Sequence, residues 1–138
     1  MADAPTTVVL AVDDDPQVLE TVKLALGDGG FHVETAGDGA QALQMIEQAP
    51  DDGLSALVTD IEMGHGPSGW DIARRGRERN ATLAVVYISG AHGDDWAAMG
   101  VPKSLLLKKP FAPAQIVTAV AGLINDAGTP GNGEALHT

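Results

Sequence analysis

Residues 8–16, VVLAVDDDP, set a short aliphatic run directly against three carboxylates and a proline. A Val-rich run of this length, apolar throughout rather than alternating, reads as a strand of a parallel sheet covered on both faces. Pro16 suits the first position of a helix, where no amide hydrogen bond is lost, and Asp15 before it suits the cap. The stretch therefore reads as strand, acidic turn, helix.

The same punctuation recurs along the chain. Asp60 ends LSALVTD (54–60), Ser89 ends LAVVYIS (83–89), and Lys109 ends SLLLKK (104–109) before Pro110. Five strand-then-helix units follow. The first helix, from about Pro16 to Leu26, carries its apolar stripe on Val18, Leu19, Val22 and Leu26, and the glycines after it stop it. A second strand is expected at Phe31–Thr35, then a helix capped by Asp38 with Ala42, Leu43 and Ile46 inward. The third strand is Leu54–Thr59 and the third helix runs from about Trp70 to Glu78. Leu83–Ile88, the most continuously apolar strand, is expected at the centre of the sheet. A short helix around Asp95–Met99, a core strand at Leu105–Leu107 and a last helix at Pro113–Ile124 complete the pattern. One domain is expected over residues 8–125, with an N-terminal extension at 1–7 and a disordered Gly/Pro-rich tail at 126–138.

Composition narrows the function. Aromatics are only 4% of the 138 residues, so the core must be aliphatic. Zero cysteines excludes disulfides, thiolate metal ligands and a Cys nucleophile, and fits a reducing compartment. No apolar stretch approaches the roughly 20 residues of a membrane span, and MADAPTT lacks the pattern of a signal peptide, so a cytoplasmic protein is expected. A net charge of −11 argues against a nucleic-acid partner, whose phosphates reward clustered positive charge. The one basic cluster, Arg74, Arg75, Arg77 and Arg79 around Glu78, reads as a solvated helix face.

In an open α/β sheet, ligands bind at the carboxyl ends of the strands. Asp13, Asp14, Asp60, Ser89 and Lys109 all fall there. Asp15 alone satisfies the helix start, so Asp13 and Asp14 require another reason for crowding their charges, and a hard cation supplies one. Mg2+ fits best, since it binds through one or two carboxylates plus water and phosphate. Asp60 can share the cation and act as a nucleophile, because aspartyl phosphates are an established covalent intermediate. Ser89 offers a hydroxyl and Lys109 an ammonium to phosphoryl oxygens. A cis peptide before Pro110 would turn the chain sharply and aim that amine. His65 and His92, on loops without a fixed spacing, read as solvent-exposed rather than as ligands. Trp70 and Trp96 read as anchors of short helices.

Taken in order, VVLAVDDDPQVLE, LVTDIEM, GWDIARRGRE, VVYISGA and LLLKKPF resemble the receiver domain of two-component response regulators, over Val8 to about Ile124. The resemblance implies a flavodoxin-like (βα)5 fold, an α/β doubly wound five-stranded parallel sheet. It implies Asp60 as phosphoacceptor, Asp13 and Asp14 as the acidic pair, and Asp14, Asp60 and the backbone carbonyl of Glu62 as Mg2+ ligands. Ser89 would be the switch hydroxyl and Lys109 its ion-pairing partner. The implied partner is a sensor histidine kinase or phosphotransfer protein, with phosphoryl transfer to Asp60 and later hydrolysis catalysed by the domain itself.

Three departures from that family stand out. The loop after LVTDIEM is lengthened by Gly64-His65-Gly66-Pro67-Ser68. Leu106 stands where a Tyr or Phe is usual on the fifth strand, and the fourth helix is abbreviated. The chain thus looks like a stand-alone receiver, monomeric or weakly dimeric, that signals through loop and fourth-helix rearrangement or serves as a phosphate sink. A receiver module detached from a hybrid kinase would read the same way. A haloacid dehalogenase-type phosphatase also uses a strand-end Asp, but keeps a second Asp two residues later, where this chain has Glu62.

Overall fold

Strands and helices alternate in the computed structural model, which describes residues 7–50, 53–90 and 93–127. The order is β1 (Val8–Val12), α1 (Pro16–Asp28), β2 (His32–Ala36), α2 (Gly39–Gln48), β3 (Ala56–Asp60), α3 (Gly69–Arg79), β4 (Ala84–Ser89), α4 (Trp96–Met99), β5 (Leu105–Lys108) and α5 (Pro113–Ala127). A 3₁₀ turn at Gly93–Asp95 leads into α4. The sequence expectations for the extension and the tail fall almost wholly outside the described residues, as does His92. Asp126 and Ala127 are described, and they continue α5.

All pairings are parallel, and the strand order is β2-β1-β3-β4-β5. This is the doubly wound, flavodoxin-like arrangement. The central strand is β3, not β4 as its continuous apolarity implied. β4 lies next to the edge strand β5 but is buried along its full length. Helices cover both of its faces, so burial alone does not rank strands by position.

Side-chain alternation sends each strand into two cores. Leu10, Val12, Leu57, Val85 and Tyr87 meet Ala42, Ile46, Ile72 and Ala73 on the side of α2 and α3. Val9, Ala11, Val58, Val86 and Ile88 meet Val22, Leu26, Ile116 and Val120 on the side of α1 and α5. Truncating a fully buried side chain such as Leu57 to Ala removes contacts on a closed face and costs roughly 2–5 kcal/mol. The edge differs: Leu105, expected in the core, is 39% exposed, because β5 has a neighbour on one side only.

The helix ends follow local chemistry. Asp15 Oδ1 accepts the Gln17 amide at 2.9 Å and Asp38 Oδ1 accepts the Gln41 amide at 2.8 Å, each capping the helix that follows. Ser68 and Asp71 form a capping box at the start of α3. The arginines of α3 are not simply solvated. Arg75 pairs with Glu47 and Glu78, Arg79 donates to the carbonyls of Glu47 and Ala49 at 2.9 Å each, and Arg77 donates to the Leu83 carbonyl at 2.7 Å. They fasten α3 to the end of α2 and the entry of β4.

Candidate functional site

Parallel strands that start together also end together, so β1, β3, β4 and β5 deliver their last residues to one rim. Asp13 follows β1, Asp60 ends β3, Ser89 ends β4, and Lys109 follows β5. Register draws them close: Asp60 lies opposite Ile88, Ser89 lies opposite Lys108, and the Lys109 amide donates to the Ser89 carbonyl at 2.8 Å. The Lys109–Pro110 peptide is cis.

One carboxylate oxygen from each of Asp13, Asp14 and Asp60 falls within 4.8 Å of the others, the one such grouping of potential metal ligands among the described residues. Asp13 is 1% exposed and Asp60 7%, whereas Asp14 faces solvent. Lys109 Nζ sits 3.2 Å from Asp13 Oδ2 and 3.8 Å from Asp60 Oδ2. Asp13 Oδ1 is satisfied by the Asp15 amide at 2.9 Å. Its Oδ2 is buried and, despite the nearby ammonium, receives no aligned hydrogen bond.

The charges are consequently strained. Burial pushes the Asp60 carboxyl up to about 6, the charge of Asp13 adds to the rise, and Lys109 opposes it. Burial also raises Asp13, against the Asp15 amide and Lys109. Burial alone would lower Lys109, but the charges of Asp13 and Asp60 outweigh it and hold the ammonium above its usual value. One ammonium thus serves two buried carboxylates. Three converging carboxylates with one ammonium between two of them leave anionic oxygens that a small divalent cation would satisfy, so the residues present fit Mg2+.

His65 is exposed on the β3–α3 loop, as expected from sequence. Trp70 is buried and Trp96 half-buried, its Nε1 donating to Ser104 Oγ at 2.9 Å. Sequence reasoning passed over Tyr87. Its ring lies 4.7 Å from that of Trp70, its hydroxyl accepts the buried Val101 amide at 3.1 Å, and it is the register partner of Leu106. An aromatic therefore occupies the space beside Leu106, but from β4. The available signal was parity: Tyr87 is two residues before Ser89, so both sit on the same face of one strand.

Comparison with known proteins agrees with this fold. The response regulator receiver domain model matches residues 9–121. The probable transcriptional regulatory protein TcrX of Mycobacterium tuberculosis is 32% identical over 130 residues, covering 92% of this chain and 53% of that protein. The transcriptional regulatory protein PrrA of the same organism is 35% identical over 124 residues, covering 88% and 51%. This chain thus spans about half the length of these relatives. The crystal structure of a response regulator receiver protein from Sinorhizobium medicae superposes with a TM-score of 0.84 at 38% identity, covering 88% of this chain and 97% of that one. The phosphatase alternative is not favoured. The chain belongs to the response regulator receiver domain family.

Proposed function

We propose that the domain accepts a phosphoryl group on Asp60 from the phosphohistidine of a sensor histidine kinase or phosphotransfer protein, with Mg2+ held by Asp13, Asp14, Asp60 and the Glu62 carbonyl. The observation that carries this reading is a buried strand-end carboxylate with two further carboxylates and one ammonium converging on it. When bound, Mg2+ would neutralise the crowded carboxylates and the phosphoryl oxygens.

An Asp60 carboxylate oxygen forms the new bond to phosphorus while the phosphorus–nitrogen bond of the donor breaks, its electron pair staying on the ring nitrogen. The proton kept on the other ring nitrogen makes the released histidine a neutral imidazole. With its pKa near 6, Asp60 is ionised at neutral pH and available as the nucleophile. Lys109 offers its ammonium to the incoming phosphoryl oxygens, exchanging part of its attraction to Asp60 for attraction to the phosphoryl group. Ser89, buried at the end of β4, supplies a hydroxyl donor. Catalysis here is positioning and charge neutralisation, which together supply most of the acceleration of phosphoryl transfer.

The output we propose is changed contact with a protein partner. A net charge of −11 disfavours direct binding to nucleic acid. No helix among the described residues is long and apolar enough to cross a membrane, in keeping with a cytoplasmic site of action. The reading is tested with acetyl phosphate as donor. Asp60→Asn should abolish the acid-stable, base-labile label, while His65→Ala and His92→Ala retain it. A phosphoryl group found on a histidine would overturn the assignment.

A further inference from the structure

The corner joining β2 to α2 touches both halves of the acidic site. On one side the Ala36 carbonyl accepts the Asp13 amide at 3.2 Å, holding the backbone at the first carboxylate. On the other side Gly39, the buried first residue of α2, lies under the β3–α3 loop. A Cβ at position 39 would sit 2.2 Å from the Pro67 carbonyl oxygen and 3.0 Å from Pro67 Cβ. Backbone cannot yield as a flexible side chain can, so only glycine admits this approach.

The loop is held just as closely at its far end. A Cβ on Gly69 would lie 2.2 Å from the Asp60 carbonyl oxygen, and the Gly69 amide donates to the Ile61 carbonyl at 3.0 Å. Ile61 in turn donates to the Ile88 carbonyl at 3.1 Å. The lengthened loop is thus seated at Pro67 against α2 and at Gly69 against the backbone of Asp60. The seat is stiff: Asp38 caps α2, and Gln41 Oε1 folds back to accept the Gly37 amide at 2.9 Å.

We propose that Gly39 is a positioning residue for the acidic site, acting through Pro67. The N-terminus of α2 is a stop on which the β3–α3 loop rests, setting the backbone of residues 60–62 against Asp13 so that the carboxylates converge. This rests on the reading of Asp13, Asp14 and Asp60 as a cation site. An alanine at position 39 forces the loop outward by about 1 Å, a misplacement that can cost ~100-fold in a positioned reaction.

The test compares wild type with Gly39→Ala, Pro67→Gly and the control Gly122→Ala, a helical position where a Cβ meets open space. Amide exchange at Ile61 and Gly69 is read in metal-free protein, and MgCl2 affinity by calorimetry. Gly39→Ala should speed exchange at both amides about tenfold and weaken Mg2+ binding at least fivefold. Pro67→Gly, which slackens the loop and leaves the seat intact, should move both in the same direction, and Gly122→Ala neither. If Gly39→Ala does not fold, Pro67→Gly decides. Wild-type exchange and affinity in the folded variant, even with a lowered melting temperature, would overturn the proposal. A wild type that binds no Mg2+ would instead refute the cation reading, while the exchange measurement still judges the loop contact.

Discussion

Asp60→Asn is expected to stabilise the metal-free domain by an amount that pH controls. The carboxyl is raised from 3.8 to about 6, first by burial and then by the charge of Asp13. At 1.36 kcal/mol per pKa unit, ionised Asp60 destabilises the native state by at most about 3 kcal/mol, the rim beside exposed Asp14 leaving some solvent screening. Between about pH 4 and 6 the native state binds this proton more tightly than the unfolded chain does. Stability therefore falls as pH rises through that window, and the full penalty holds above it. Below about pH 4 both states are protonated and the penalty vanishes. Asparagine keeps the shape without the charge, so near pH 7.5 the variant should gain roughly 2–3 kcal/mol, raising Tm by roughly 5–10 °C. Thermal unfolding by circular dichroism in EDTA, from about pH 4 to 8, measures this directly. Added Mg2+ should raise the wild-type Tm and close the gap by stabilising only the protein that binds it. A variant matching wild type near pH 7.5, or a gain that persists unchanged near pH 4, would refute the reasoning.

Other outcomes follow from the same geometry. Asp14→Ala should weaken Mg2+ binding at least tenfold, about 1.4 kcal/mol, by calorimetry; unchanged affinity would remove Asp14 from the ligand set. Tyr87→Phe strands the buried Val101 amide and should lower stability by roughly 1–3 kcal/mol, seen as a reduced urea midpoint with an unchanged slope. In a Trp70→Phe background, beryllofluoride with Mg2+ should change the fluorescence of Trp96, whose indole is tied to Ser104 on the α4–β5 loop. An unaltered spectrum and unaltered exchange over residues 93–101 would indicate a phosphate sink rather than a switch.

Local chemistry was enough to mark the strands, the caps and the rim residues. A strand buried on both faces must be apolar, an exposed helix start favours Asp or Ser, and a polar residue after such a strand emerges at the sheet edge. Asp13, Asp14, Asp60, Ser89 and Lys109 could therefore be placed at one sheet edge from the order of residues alone. Strand order was not, because β3 and β4 are equally buried when helices cover both faces, and only pairing partners separate centre from flank. The exposure of Leu105 depends on β5 being an edge, a property of the sheet and not of the LLL run. The arginines of α3 looked solvated because their acceptors, the carboxylate of Glu47 and the carbonyls of Glu47, Ala49 and Leu83, lie on other elements. Gly39 gave no sign of its contact with Pro67, 28 residues away in sequence. The sequence by itself determined which chemical groups gather at the rim, since strand periodicity and capping act over a few residues. Tertiary structure alone decided how tightly they are held, since burial, ion pairing between strands and close backbone approaches arise only when distant segments pack.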